Sequence, residues 1–255
     1  MTSSLLAPGE PGPVRVLHED GRSEFLLTAD HAGKLIPRRL GELGVAAADL
    51  ERHIAWDIGI AGVTERLSAA LDATAVLQAY SRLVIDCNRD PSWPSAIPTV
   101  SEFTEIPGNA NLTEAARAAR VAEIFRPYHD RIAGMLDARA ASGRRTIVVA
   151  MHSFTPVFKG EPRAIEVGVL YYRRTKLAEI MLDLLWAEGD LTVGENAPYA
   201  LTADSDYSIP FHAERRGLEH VEIEIRQDLI ASPAGQVLWA DRFARLLTDA
   251  LPRLR

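Results

Sequence analysis

Short apolar runs alternate with longer amphipathic segments along most of this chain. The runs 25–29 and 146–151 are continuously aliphatic or β-branched, which is typical of strands buried on both faces of a parallel sheet. Segments such as 58–71 instead place apolar residues at helical spacing. The alternation predicts an α/β fold, with a single domain built on a mostly parallel central sheet that helices flank.

The individual elements follow from the same pattern. Strands are predicted at 24–29, 74–77, 82–86, 146–151, 166–171, 192–195 and 220–225. Helices are predicted at 47–54, 58–71, 113–141, 175–188 and 233–251. The Pro- and Gly-containing start, 1–13, is predicted to be flexible, and 14–255 to form the domain.

The stretch between Asp86 and Asn111 contains four prolines and has no clear periodicity. Loops of this length in compact domains are usually functional or disordered. Because Trp93, Ile97 and Phe103 offer apolar contacts, we expect an ordered lid or a pocket wall.

Composition narrows the range of partners. A formal charge of −7 without a basic tract argues against nucleic acid and against an anionic membrane as partners. No apolar stretch is long enough to span a bilayer, and the start does not resemble a signal peptide, so we expect a cytoplasmic protein.

The single cysteine, Cys87, continues the apolar alternation of Leu83 and Ile85 and is expected to be a core thiol.

Two histidines, His31 and His152, directly follow predicted strands. Ligands of open α/β sheets gather beyond the carboxyl ends of the strands, so the pair predicts a metal site, most simply zinc. Asp57 is the preferred third ligand, with His53 as its competitor. Asp57 could instead be the N-cap of the following helix.

The segment 220–228 carries the next chemical signal. Alternation places Val221, Ile223 and Ile225 on one face and the polar side chains on the other. A carboxylate beside a metal can move protons during amide hydrolysis, and Glu224 is our choice for that role, with Glu222 as the alternative.

Arginine and asparagine side chains predict an anion-binding wall. Asn88 and Arg89 follow the predicted strand 82–86, and the arginine fork matches a carboxylate bidentately. Arg82 or Arg226 could hold a second carboxylate, although Arg82 could instead pair with Asp86 and Arg89 with Asp90.

Two further histidines are weaker candidates. His212 precedes the strand of Glu224 and is a possible substrate contact, whereas His129 lies within a predicted helix and is expected to be packed or capping. Phosphate-loop spacing and a Gly-x-Ser-x-Gly elbow are absent from the sequence, so nucleotide binding and serine hydrolase chemistry have no support.

Taken together, these motifs resemble the N-formylglutamate amidohydrolase family. The resemblance covers the chain from about Arg15 onward, and the segments that carry it are 29–33 with 36–37, 53–59, 81–89, 106–109, 151–156 and 222–228. Well-known members carry Pro-His-Ser-Gly where this chain has Asp30-His31-Ala32-Gly33, which indicates a divergent branch.

The resemblance implies a fold related to zinc exopeptidases and zinc-dependent cell-wall amidases. It also implies hydrolysis of an N-formyl amide to formate and glutamate, late in histidine breakdown. Transferred by position, the roles are metal ligation by His31, Asp57 and His152, general base catalysis by Glu224, and carboxylate binding by Asn88 and Arg89.

Three functional hypotheses follow. The first is a cytosolic zinc-dependent amidohydrolase that acts on a small, acidic N-acyl amino acid. The second is a related zinc peptidase or cell-wall-type amidase, which the expected absence of an export signal disfavours. The third is a catalytically silent protein that binds the ligand without converting it.

Overall fold

Strands and helices alternate in the computed structural model, which describes residues 4–202 and 205–255. The strands are β1 (Val14–Leu17), β2 (Phe25–Ala29), β3 (Thr74–Gln78), β4 (Val100–Ser101), β5 (Thr104–Glu105), β6 (Ile147–Phe154), β7 (Val157–Phe158), β8 (Glu161–Pro162), β9 (Val167–Leu170), β10 (Val193–Glu195) and β11 (Glu219–Arg226). The α-helices are α1 (Ala47–Leu50), α2 (Ile60–Leu71), α3 (Glu114–Arg120), α4 (Arg126–Ala141), α5 (Lys176–Glu188) and α6 (Pro233–Ala250).

Seven of the described strands form one mainly parallel sheet, in the order β1-β3-β2-β6-β11-β9-β10. Strands β3, β2, β6 and β11 are parallel neighbours, whereas β1 and β9 run antiparallel to β3 and β11. The predicted α/β class is confirmed. Parallel pairing brings the carboxyl ends of the central strands to one edge, where ligand sites of open α/β sheets form.

Each face of the sheet packs on its own hydrophobic core. Phe25, Leu27 and Ala29 of β2 point to the core formed with α2, α5 and α6, as do Val221, Ile223 and Ile225 of β11. Leu26 and Val148 point to the opposite core, which includes residues of α4. This arrangement explains why β2 and β6 are mainly apolar, since both of their faces exclude water. Strand β11 differs, because its second face carries the buried polar residues His220, Glu222 and Glu224.

The predicted strand 82–86 is wrong. Its backbone forms a turn, in which the N–H of Val84 donates to the carbonyl of Ser81 at 2.9 Å. Leu83, Val84 and Ile85 are nevertheless buried in the second core, which accounts for their strand-like composition. The place beside β3 is taken by β1, a strand that the sequence analysis missed.

Two predicted helices differ in detail. Helix 47–54 shortens to α1, and the remaining residues form turns. The predicted helix 113–141 is continuous but contains a π-helical turn between α3 and α4. Its start is as expected, because the Thr113 hydroxyl oxygen accepts a hydrogen bond from the Ala116 N–H at 3.2 Å.

The start of the described chain packs on the domain. The backbone N–H groups of Leu5 and Leu6 donate to the Glu123 carboxylate, and the Leu5 side chain is buried. Among the described residues, no helix combines the length and the apolar character that crossing a membrane requires.

Candidate active site

Three buried side chains from separate parts of the chain converge at the carboxyl edge of the sheet. One donor atom each of His31, Asp57 and His152 lies within 4.8 Å of the others. His31 follows β2, whereas His152 lies inside β6, two residues before its end, because β6 continues to pair with β11 beyond the predicted boundary. The structure thus brings the predicted ligand set together.

Asp57 faces both imidazole rings. Its Oδ2 atom lies 3.1 Å from Nδ1 of His152 and 3.6 Å from Nδ1 of His31. The opposite ring atoms face two other carboxylates: Nε2 of His31 lies 2.7 Å from Oδ1 of Asp86, and Nε2 of His152 lies 3.6 Å from Oδ2 of Asp30. The Nδ1 edges of both rings are therefore directed at Asp57.

The backbone around Asp57 places this carboxylate for contact with His152 rather than for helix capping. The Asp57 N–H donates to the His31 carbonyl at 2.9 Å, and its Oδ2 accepts from the Ser153 N–H at 3.1 Å. The residue before α2 is Gly59, at φ +83°, where a Cβ would lie 2.2 Å from the Ile230 carbonyl oxygen. The alternative in which Asp57 caps the helix is therefore not what the structure shows.

Charges at the centre favour a cation. Burial opposes ionisation of Asp57, yet His31 and His152 hold its pKa well below the usual value. Burial would also lower the pKa of His152, but Glu222, Asp30 and Asp57 raise it far above that of a free imidazole. These carboxylates would stabilise a bound divalent ion in the same way, and the ion would displace protons from the rings.

Both glutamates of β11 reach the site. Glu224 pairs in register with His152, one strand away, and Glu222 pairs with Ala150. Burial raises the pKa of Glu224 to about 7, and burial places the pKa of Glu222 well above its usual value. A carboxyl group that titrates near neutral pH can both accept and donate a proton.

The predicted anion-binding residues lie close by, but carboxylates of the chain contact them. Nε and Nη2 of Arg82 donate to Asp86 at 3.1 and 2.6 Å, which is the alternative pairing raised from the sequence. Nη1 of Arg82 also lies 3.5 Å from Asp57. Asn88 and Arg89 contact Asp206, a residue that the sequence analysis did not consider.

These side chains line one cavity of about 410 Å³, a volume that suits a small ligand. The loop 86–111 contributes Ser95, Pro98, Ser101 and Glu102 to its wall, as expected of a pocket wall. Phe103, by contrast, is 71% exposed at the tip of the β4–β5 hairpin instead of being packed.

Other predicted residues lie elsewhere. Arg226 bonds to Asp228 through Nε at 2.8 Å and is not among the residues that line the cavity. His212 is buried and is not among the residues that line the cavity; its Nε2 lies 2.8 Å from Nδ1 of His129, so both histidines belong to a packed cluster. His53 lines the cavity, but its Nε2 faces Glu102 at 3.6 Å and does not join the metal cluster.

The predicted core position of Cys87 is confirmed. The residue is fully buried, and its sulfur accepts a hydrogen bond from Nε2 of Gln78 at 3.2 Å. Burial raises the pKa of the thiol well above its usual value, which favours the neutral thiol over the thiolate at neutral pH.

Several site residues were missed by the sequence analysis. Asp30 is buried between His152 and Tyr128, whose hydroxyl donates to it at 2.6 Å. Tyr199 lines the cavity, and its hydroxyl accepts from Nη1 of Arg163 at 2.6 Å. The position of Asp30 next to His31 was a usable signal, whereas Tyr199 and Arg163 carry none in the sequence.

The donor set suits a metal ion of the catalytic type. Two imidazoles and one carboxylate are the three protein ligands that many catalytic zinc sites use, with a fourth position left for water or substrate. Nδ1 of His31 is buried and makes no hydrogen bond within the described residues, so no other group of the described chain competes with a metal ion for it. His31, Asp57 and His152 are the residues that would hold the ion.

Comparison with known proteins agrees with this geometry. The family model for N-formylglutamate amidohydrolase matches residues 23–231, which include every residue of the centre. This chain belongs to the N-formylglutamate amidohydrolase family. Membership of this family supports a hydrolase that acts on amide bonds.

Two solved structures are similar to this family member. The gene product Atu2144 from Agrobacterium tumefaciens is 41% identical, with a TM-score of 0.94 over 98% of this chain and 99% of that one. The N-formylglutamate amidohydrolase from Ralstonia eutropha JMP134 is 17% identical, with a TM-score of 0.66 over 94% of this chain and 100% of that one, and shows the shared fold. No curated protein matches the sequence.

Proposed function

We propose that this protein is a zinc-dependent amidohydrolase that cleaves a small N-acyl amino acid such as N-formylglutamate into formate and the free amino acid. The observation that carries the proposal is the convergence of His31, Asp57 and His152 beside Glu224 in one cavity. The family match supports the reaction class. We further propose that the protein acts in the cytoplasm, in histidine breakdown.

The ligand set has a defined part in this mechanism. His31, Asp57 and His152 would hold the zinc ion, which when bound supplies Lewis acidity that polarises a carbonyl and favours ionisation of water near neutral pH. Asp86 keeps the His31 ring in place through its Nε2 contact of 2.7 Å. Such outer carboxylates fix the orientation of ligating histidines.

Glu224 is the proton carrier of the proposed hydrolysis. Its pKa of about 7, raised by burial, lets the carboxylate take a proton from the attacking water and pass it to the leaving nitrogen. Arg82, held beside Asp57 by Asp86, would add positive charge near the reaction centre, which stabilises negative charge that develops on a carbonyl oxygen. Asn88 and Arg89, which line the same cavity, would hold the substrate carboxylate.

The test combines metal analysis with a product assay. We expect about one zinc per chain in protein purified without chelator, and formate release from N-formyl amino acids in a panel that also contains muropeptides. Removal of the metal should abolish turnover, and added zinc should restore it. Full activity of metal-free protein, or cleavage of muropeptides alone, would refute the proposal; ligand binding without any product would favour a silent binding protein.

A further inference from the structure

Asn88 and Arg89 already bind a carboxylate of their own chain. Nδ2 of Asn88 donates to Oδ1 of Asp206 at 2.9 Å, and Nη1 of Arg89 lies 3.6 Å from the same oxygen. Asp206 lines the same cavity as the metal cluster. The carboxylate of Asp206 therefore occupies the position that the proposed function assigns to a substrate carboxylate.

The contact is anchored on both sides of Asp206. Oδ1 of Asn88 accepts hydrogen bonds from the backbone N–H groups of Tyr207 and Ser208, each at 3.0 Å. The Ser205 hydroxyl donates to Oδ2 of Asp206 at 2.5 Å. Because the flanking residues are bonded to Asn88 and to Asp206 itself, the carboxylate is a built part of the wall.

The charges of Arg89 and Asp206 indicate how their contact affects the binding of a ligand. Arg89 carries one positive charge, and its side chain is 25% exposed while that of Asp206 is 13% exposed, so screening by water is limited. A substrate carboxylate that approaches Arg89 must share it with Asp206, and like charges in one site repel each other. A neutral substrate group meets no such opposition.

We propose that Asp206 is a specificity-determining residue, an internal carboxylate that competes with the substrate carboxylate for Asn88 and Arg89. It thereby lowers the affinity of the site for acidic ligands relative to neutral ligands of the same shape. The inference rests on the proposed function in one respect only, namely that Asn88 and Arg89 bind the substrate carboxylate.

The experiment measures binding rather than turnover. Glutarate and its neutral diamide, glutaramide, are titrated by calorimetry into the full-length, zinc-loaded protein and into the Asp206→Asn variant. Asparagine keeps an oxygen that can accept from Asn88 but removes the negative charge. We expect glutarate to bind about tenfold more tightly to the variant, with glutaramide unchanged.

Three controls make the result specific. The Asp206→Asn/Arg89→Met double variant should lose the gain, because the gain requires Arg89. Asp90→Asn removes a nearby carboxylate that bonds to Ser92, and it should change neither ligand. Asp206→Ser, checked for folding by thermal unfolding, repeats the charge removal with a smaller side chain.

One result would contradict the inference about Asp206, and a different result would contradict the proposed function. Glutarate binding that is unchanged or weaker in both Asp206 variants would overturn the inference, since Asp206 would then not compete. A wild-type protein that releases no formate would refute the proposed function, yet the glutarate comparison would still decide the role of Asp206.

Discussion

Nε2 of His31 lies 2.7 Å from Oδ1 of Asp86, while Nδ1 of the same ring is buried without a hydrogen-bond partner among the described residues. The carboxylate therefore decides which nitrogen of His31 is available to a metal. In His152 the pattern is reversed: Nδ1 lies 3.1 Å from Oδ2 of Asp57, whereas Nε2, at 3.6 Å from Asp30, makes no hydrogen bond among the described residues. Asp86 thus keeps the His31 ring turned towards Asp57, and Asp57 itself holds the His152 ring.

The first prediction concerns Asp86. Asp86→Asn should weaken zinc binding about 10- to 100-fold, because the neutral amide orients His31 less strongly and makes its ring less basic. The dissociation constant is measured by competition with a chromogenic chelator. Asp90→Asn, which alters only a local turn, serves as the control; equal zinc affinity in all three proteins would contradict the prediction.

A second prediction separates the ligand histidines from their neighbour. His31→Ala and His152→Ala should each lose bound zinc, whereas His53→Ala should keep it, because His53 lines the cavity outside the cluster. Elemental analysis of the purified variants gives the metal content directly. Full zinc occupancy in either of the first two variants would remove that histidine from the ligand set.

Glu224→Gln tests the proton carrier. We expect kcat to fall about 10²- to 10⁴-fold with zinc retained, because the amide cannot accept a proton. Glu222→Gln should have a smaller effect, and Glu161→Gln, at an exposed hairpin position, should have none. If the Glu222 variant lost activity and the Glu224 variant kept it, the two roles would have to be exchanged.

Acid stability should depend on the buried histidine pair. Burial lowers the pKa of His129 to about 4 and, together with His129, lowers that of His212 to about 3. In the unfolded chain both histidines titrate near pH 6.5, so below that pH the unfolded state binds protons that the folded state does not. Stability from this pair is complete above about pH 6.5 and should decline, by about 3 kcal/mol for each histidine, as the pH falls towards 4.

Urea unfolding at several pH values between 7 and 4 measures this decline. The His129→Gln/His212→Gln variant should be less stable at pH 7 but show a flatter dependence on pH. Phe211→Leu disturbs the same aromatic cluster without removing a titratable group, and its pH dependence should match that of the wild type. The same slope in all three proteins would rule out the pair as the source.

Much of the fold could be predicted because strands that are buried on both faces need apolar residues at consecutive positions. The runs 25–29 and 146–151 are almost entirely apolar since both sheet faces are covered, and both became strands. The run 82–86 shows the limit of this signal. Leu83, Val84 and Ile85 are equally buried, but in a turn, because burial demands apolar side chains whatever the backbone conformation.

The candidate site divides in a similar way. The ligand candidates His31 and His152 could be recognised from their places near strand ends, and Glu224 from alternation along β11. No such sequence pattern identifies Asp206, because it lies in a loop that is distant in sequence from Asn88. A contact between two loops depends on how the whole sheet orders its strands, and periodicity does not encode that order.

By itself, the sequence determined that an α/β sheet would form and that histidines and carboxylates would stand along one edge of it. These features depend on local composition and on strand and helix periodicity, which can be read along the chain. Only the tertiary structure decided that Asp57 meets His152, that Asp86 contacts the His31 ring, and that Asp206 lies beside Arg89. Each of these contacts joins residues that are far apart in the chain, and their distances and directions arise only when the two cores pack on the sheet.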